Sequence, residues 1–426
     1  MSWIRGSATD FIDLSDELVA AATGDSVATV AVSSGGTGYT EGDVLLVAGG
    51  TNTIAAQVEV TSETGGVIDG VRIYNAGAYT ATPTTPNSAT GGTGSGASIT
   101  LTFTGGNGWT ANRNAIYSGS DKEVMLEGDG GGSDAIHVGW RTFRDVPAGY
   151  YNWELHGTTG YTAGADMKDQ PSISPGFFDG ASNDDQAGAY LLLHEASVDF
   201  WFSITSYRII GVVKVGTAYF NFFLGWADRF ATSTEYPYPL VVAGHTSAPD
   251  DLSNQGKMSS GLLDPWRDNG ANGLAAGPMF VYFTDGGWHS VHNGLVSSSA
   301  RQTKRDRVVI PCGHPQGQSD CAPEDLILNN MLDFDEFIPI AGLSNTPTAN
   351  IHPTPGTADG YVMLPCTIVF SDPTNQVVAN LPDIFWISGY GAVGSEDRNI
   401  VGGEVYRIFQ NCNRTDNYAF FALKEV

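Results

Sequence analysis

Basic residues are scarce in this chain of 426 residues, and long apolar runs are missing. Only 20 Lys and Arg stand against 46 Asp and Glu, which gives a formal net charge of −26. A surface of this sign repels nucleic acids and anionic membranes, so we expect no nucleic-acid partner. No apolar run approaches the roughly 20 residues that a membrane-spanning helix needs, so we also expect no membrane span.

Cysteine is scarce as well, since the chain has four: Cys312, Cys321, Cys366 and Cys412. Four are too few for a disulfide scaffold. Cys312 and Cys321 could close a loop as a disulfide, or they could remain free or buried thiols. With His314 they supply three zinc-type ligands, but the spacing offers no fourth, which favours a proline-rich loop over a metal site.

A single segment has clear helical periodicity, residues 9–23 near the N-terminus. Phe11, Leu14 and Leu18 fall on one apolar stripe together with Ala21 or Ala22. Ser7 or Thr9 is expected to cap the start of this helix, and Gly24 to end it. The stripe could dock on a partner or a neighbouring subunit, or it could pack on the chain's own β-sheets.

A block rich in glycine and threonine follows the helix, over residues 26–104, and repeats one pattern twice. Each unit alternates apolar and polar residues with a period of two and is interrupted by glycines, which is typical of short strands joined by tight turns. Trp109 then begins a segment of different composition. The block is therefore interpreted as an inserted module with adjacent ends that protrudes from the main body; the alternative is one continuous β-domain with a glycine-rich start.

The remaining sequence predicts short strands separated by turn signals. The fold class is therefore all-β, with a main body of β-sandwich or jelly-roll type, one N-terminal helix and an inserted small β-module. The predicted divisions are residues 1–24 for the helical segment, 25–105 for the tandem-repeat module and 106–426 for the main body, in which a subdomain boundary falls near 245–275. The strands predicted most clearly cover residues 122–127, 135–139, 150–155, 199–203, 208–215 and 279–283.

Candidate sites for chemistry are weak throughout the sequence. The glycine-rich segment 128–134 could wrap a calcium ion, but a hairpin turn explains it better. His289 and His292 would face opposite sides of a strand. The acidic pairs at 184–185 and 250–251 are of the kind that glycosidases use, but adjacency in sequence does not give the separation of two carboxylates across a sugar. The basic cluster 301–307 is interpreted as a solvated strand edge or loop. We therefore predict no catalytic residue, no metal, no cofactor and no enzymatic activity.

Aromatic side chains are the remaining resource for binding, with 9 Trp, 17 Tyr and 20 Phe. Strand alternation is expected to turn about half of each aromatic cluster inward, so that most of them form core. Exposed members could stack on sugars or pack against neighbouring subunits. The clusters lie at residues 150–153, 200–202, 219–226 and 236–238.

Several short segments at both ends and in the middle of the chain resemble a family of structural proteins of tailed bacteriophages. The matching segments are residues 5–14, 109–110, 123–128, 150–155, 208–215, 235–240, 386–389, 410–415 and 418–419. Members of that family often lack the block at 25–105, and Gly-Thr-Gly-Tyr repeats such as residues 36–39 are frequent additional modules in phage tail and fibre proteins. The resemblance carries no catalytic residues.

This resemblance implies a virion protein of the tail region, at the tail tip, the baseplate or a fibre, that contributes to assembly and host attachment. No signal peptide is visible at residues 1–6, so assembly in the host cytoplasm is expected. Other virion proteins and copies of the chain, with three- or six-fold symmetry, are the expected partners, and a host-surface glycan is a further one. The alternatives are a glycan-binding or glycan-degrading tailspike and a capsid decoration or head-fibre protein.

Overall fold

The described residues form several antiparallel β-sheets and one α-helix, which confirms the all-β prediction. A computed structural model describes residues 1–131, 134–145, 150–176, 188–229, 239–245, 279–283, 286–290, 307–311, 363–370, 376–387, 394–410 and 420–425. Within these ranges, no helix is long and apolar enough to cross a membrane.

Helix α1 (Phe11–Thr23) occupies the predicted segment, but its N-cap differs from the prediction. Asp10 is the cap, because its carboxylate accepts hydrogen bonds from the backbone N–H groups of Ile12 and Asp13, both at 2.8 Å. Thr9 instead donates from its backbone N–H and its hydroxyl to the carboxylate of Asp13. A carboxylate at this position also interacts favourably with the positive end of the helix dipole.

The apolar stripe of α1 packs on the chain's own sheets. Phe11, Leu14 and Leu18 are at most 1% exposed and belong to one core cluster with residues of two sheets. The expectation that this stripe docks on a partner or a neighbouring subunit is therefore wrong. The cause is energetic, since three large apolar side chains gain several kcal/mol from burial within the same chain.

Glu17 on α1 makes stability depend on pH. Burial, together with the nearby Asp13 and Asp16 carboxylates, raises the pKa of Glu17 to about 7. The folded state therefore holds this proton more tightly than the unfolded state, and the stabilisation, complete below about pH 4.5, is lost as pH rises through 7. We expect Glu17→Gln to stabilise the protein by about 1 kcal/mol at pH 8, after allowing for partial solvation of the side chain, and to have little effect at pH 4. Urea unfolding at the two pH values measures this; an equal effect at both would contradict it.

Two sheets build most of the main body. The outer sheet is a meander of five strands, β10 to β14, and the central sheet has the order β1-β15-β16-β17-β19-β20-β21. The outer strands are β10 (Thr110–Ser118), β11 (Asp121–Gly131), β12 (Asp134–Asp145), β13 (Tyr150–Thr158) and β14 (Ala189–Leu192). The central strands are β1 (Ser2–Ala8), β15 (Val198–Thr205), β16 (Arg208–Val215), β17 (Ala218–Trp226), β19 (Leu240–Ala243), β20 (Met279–Tyr282) and β21 (Trp288–Ser290).

A third sheet, the C-terminal sheet, covers the other face of the central sheet. Its strands are β22 (Arg307–Pro311), β23 (Met363–Phe370), β24 (Gln376–Ile387), β25 (Arg398–Val401), β26 (Glu404–Gln410) and β27 (Phe420–Lys424), and the short β18 (Asp228–Arg229) pairs with β24. One core cluster joins the outer and central sheets, and a second joins the central and C-terminal sheets. The body is thus a sandwich of three layers.

The central strands are buried on both faces, so their aromatic residues do not alternate between core and solvent. Phe222 belongs to the cluster under the outer sheet, whereas its neighbour Phe223 belongs to the cluster under the C-terminal sheet. Within the aromatic cluster 200–202, Trp201 is the most exposed residue, and it is only 2% exposed. The aromatic clusters at 200–202 and 219–226 are therefore core, and the expected exposed members are absent from them.

Gly211 in β16 gives space to an aromatic ring. It pairs with Phe222 across the strands, and a Cβ at Gly211 would lie 2.1 Å from that ring. We expect Gly211→Ala to lower the free energy of unfolding by about 1–3 kcal/mol, because the ring would have to leave a packed position. Thermal unfolding measures this. Gly216→Ala is unsuited as a control because of its positive φ; Ser88→Ala, at an exposed strand position, serves instead, and an equal loss in both variants would contradict the prediction.

The glycine- and threonine-rich block forms sheets of its own, here named the small β-module. Its six-stranded sheet has the order β2-β9-β8-β3-β5-β6, and β4 pairs with β7. The strands are β2 (Val27–Thr37), β3 (Val44–Val47), β4 (Thr51–Ile54), β5 (Gln57–Thr64), β6 (Val67–Asn75), β7 (Ala78–Ala81), β8 (Asn87–Gly91) and β9 (Ser95–Phe103). A separate core cluster that includes Tyr39, Leu45 and Ile99 fills it.

The two repeats take related positions in the small β-module. Their first strands, β2 and β6, form the two ends of the sheet, and their last strands, β9 and β5, lie next to those ends. β2 and β6 also approach each other, and just beyond them Tyr39 donates a backbone hydrogen bond to the carbonyl of Gly66 at 3.0 Å. At the root of the module, Thr104 donates to the carbonyl of Ser26 at 2.9 Å, so the two ends are adjacent.

Candidate functional site

Most residues that the sequence offered for chemistry lie outside the described ranges. These are His292, Cys312, His314, Cys321 and Cys412, the acidic pairs at 184–185 and 250–251, and most of the basic cluster. Asp129 lies in β11 opposite Ala135 of β12, and His289 lies in β21 opposite Val281. Among the described residues, no three His, Cys, Asp or Glu side chains are grouped as a metal site.

A buried charged network that was not predicted from the sequence lies on the face of the outer sheet that points away from the central sheet. Arg141 and Glu154 form an ion pair at 2.7 Å, and Nε2 of His156 lies 2.8 Å from the other oxygen of Glu154. Arg113 pairs with Glu123 at 2.6 Å on the same sheet. His156 and Glu154 are fully buried and Glu123 is 3% exposed, so the network is not a solvated surface.

Residues 159–176 cover this network. The backbone N–H of Met167 donates to Glu123, and Arg113 donates to the carbonyl of Ala165. Met167 itself is completely buried. The segment therefore brings both backbone donors and apolar surface to a face that the strand alternation alone leaves polar.

Ser174, His156 and Glu154 lie in the order hydroxyl, imidazole, carboxylate. The Ser174 Oγ lies 3.2 Å from His156 Nδ1 and also accepts from the backbone N–H of Gly157 at 3.2 Å. This order resembles that of nucleophilic catalysis. However, Ser174 is 2% exposed and Glu154 is also held by Arg141. In this arrangement the three groups fasten the covering segment to the sheet.

A second polar site lies where the small β-module meets β1, an end strand of the central sheet. The side-chain amide of Asn75 donates to the carbonyl of Arg5 at 2.7 Å and accepts from its backbone N–H at 3.3 Å. The backbone N–H of Ala76 donates to the carbonyl of Trp3 at 2.7 Å. Together these bonds take the place of a neighbouring strand and cover an edge that would otherwise be open to pairing.

Arginines reinforce the same junction. Two guanidinium groups lie over the ring of Tyr74, with central carbons 4.7 Å (Arg5) and 5.4 Å (Arg398) from the ring centroid. Arg398 also pairs with Glu59 of the module at 2.8 Å. Cation–π contacts join the small β-module to β1 and to the C-terminal sheet, and the ion pair of Glu59 with Arg398 strengthens the second of these connections.

Asn107 secures the root of the module. Its side chain accepts from the hydroxyl of Ser2 at 2.7 Å and donates to the carbonyl of Ala21 and the hydroxyl of Ser26, at 2.7 and 2.8 Å. Ser26 in turn donates to the carbonyl of Gly77. The side chains of Ser2, Ser26 and Asn107 are at most 6% exposed. A buried network with satisfied hydrogen bonds therefore holds the two chain crossings, the segments that enter and leave the module.

A cleft of about 330 Å³ opens beside this root. Its walls come from the C-terminal end of α1, from β4 and β7 of the small β-module, and from the segment that leaves the module. The lining residues are Ala20, Thr23, Gly24, Asp25, Thr53, Ala78, Tyr79, Thr80, Gly105 and Gly106. Threonine side chains, one carboxylate, Tyr79 and small residues thus line the cleft, and none of these lining residues is basic.

Comparison of the chain with protein-family models gives no match, and comparison with curated proteins gives none either.

Proposed function

We propose that the chain is a structural component of a bacteriophage particle, at the tail tip, the baseplate or a fibre, and that it contributes to assembly and host attachment. The single observation that carries the proposal is the fixed mounting of the small β-module. A module with its own core is held on a three-layered body through β1, the C-terminal sheet and a buried polar root. Such a mounting suits a part that must present a surface in a constant orientation.

The burial of the charged network supports a role in structure rather than in catalysis. Its hydroxyl, imidazole and carboxylate are all within the protein interior. The acidic surface supports contacts with other proteins or with glycans more than contacts with nucleic acid. The resemblance of the short segments to tailed-phage structural proteins supports the tail region in particular.

Purified particles from the source host test the proposal. Cryo-electron microscopy, with antibody fragments raised against the small β-module, is expected to place the chain in the tail region in three or six copies, or a multiple of these. Particles without the chain, or density for it only on the capsid, would contradict the tail assignment. Release of reducing ends from host capsule, lipopolysaccharide or peptidoglycan by the purified protein would contradict the structural role.

A further inference from the structure

We propose that the cleft between α1 and the small β-module binds a saccharide unit that is neutral or carries an amino group. This inference rests on the proposed function, because it names the surface through which the chain would contact a host glycan. The volume of about 330 Å³ lies within the range of about 300–1,000 Å³ that is usual for small-molecule sites.

The hydrogen-bonding groups of the cleft suit hydroxylated ligands. Thr23 donates its hydroxyl hydrogen to the carbonyl of Val19 at 2.8 Å, and Thr80 donates to that of Thr51 at 3.3 Å. Each of these oxygens keeps acceptor capacity, so a sugar O–H can donate to it. Thr53 is exposed and contributes a third hydroxyl.

Asp25 adds a carboxylate whose position is set by the backbone. Its N–H and C=O both bond to the backbone of Tyr79, at 2.9 Å each. The side chain is half-buried and makes no hydrogen bond or ion pair with the described residues. A carboxylate accepts from two donors at once, so it can hold two adjacent sugar hydroxyls or one ammonium group.

The charge of the cleft determines which sugars fit. The C-terminal end of a helix carries partial negative charge, and the last turn of α1 has no basic residue. No Lys, Arg or His lines the cleft to offset Asp25. An acidic sugar, a phosphate or a sulfate would therefore be repelled, whereas a neutral or amino sugar would not.

An array of bacterial-surface saccharides, grouped as neutral, amino and acidic, tests the inference with the full-length protein. We expect binding only in the neutral and amino groups, and titration calorimetry with the best array saccharide is expected to show about tenfold weaker binding for Asp25→Asn and for Thr80→Val. Thr53→Arg, at an exposed position, should abolish it. Thr102→Val is the matched control, because Thr102 is an exposed threonine of the same module that bonds to Thr29 instead.

Preference for acidic saccharides, absence of array binding, or equal weakening by Thr102→Val would overturn the inference. Unchanged melting temperatures separate loss of binding from loss of fold. Particles that carry Asp25→Asn separate the two proposals. If the chain is missing from wild-type particles, the proposed function fails; if it is present and the variant particles adsorb to the host like wild type, only the saccharide site fails.

Discussion

Replacement of Arg141 with methionine is expected to lower the free energy of unfolding by about 3–5 kcal/mol, because it leaves a buried carboxylate without its guanidinium. Glu154 is fully buried, and Arg141 lies 2.7 Å from it. Urea unfolding followed by tryptophan fluorescence suits the measurement, since Trp140 and Trp153 stack on the opposite face of the same strands.

A second substitution makes this prediction specific. Adding Glu154→Gln to Arg141→Met removes the uncompensated charge and should restore part of the lost stability. Lys424→Met is the control, because its partner Glu404 is about half exposed and such a surface pair contributes about 0–1 kcal/mol. A loss no larger for Arg141→Met than for Lys424→Met would show that the buried pair is not required.

Deletion of residues 27–103, with a short glycine linker from Ser26 to Thr104, should leave a body that still unfolds cooperatively but is less stable by about 2–5 kcal/mol. The body keeps the second core cluster and most of the first, from which the deletion removes Ile54, Ala76 and Ala78. It loses the partners of Arg5 and Trp3 on β1, and Arg398 loses Glu59. Because the β1 edge becomes open, we also expect self-association that rises with protein concentration.

Calorimetry and light scattering after size-exclusion chromatography measure both effects of the deletion. Asn75→Ala in the full-length chain is the matched variant, since it removes the two bonds to the Arg5 backbone and keeps the small β-module in place. It should cost less than the deletion and cause less association. Non-cooperative melting of the shortened chain would contradict the prediction that residues 25–105 are an insertion.

The local patterns predicted many individual elements. Helix α1 occupies the segment that the stripe of Phe11, Leu14 and Leu18 predicted, and β16 has the predicted bounds, Arg208–Val215. β1 was missed because it lies directly before the helix. Its partner β15 begins almost two hundred residues later, and such a distant pairing leaves no local signal.

The buried network was missed for a different reason. Asn152, Glu154 and His156 alternate with Trp153 and Leu155, which predicts one polar, solvated face. Nothing in that alternation shows that residues 159–176 return to cover the face. A usable signal did exist for the central sheet, because the continuous apolar run 222–224 indicates a strand buried on both sides.

In mechanical terms, the small β-module is a lever clamped at its base. The two chain crossings at Ser26 and Thr104 lie side by side and alone would form a hinge. The hydrogen bond from Asn75 to Arg5 of β1 and the ion pair between Glu59 and Arg398 add two attachments away from that hinge. A torque on the tip of the module would therefore reach the central and C-terminal sheets together, so that a pull at the surface loads the body directly.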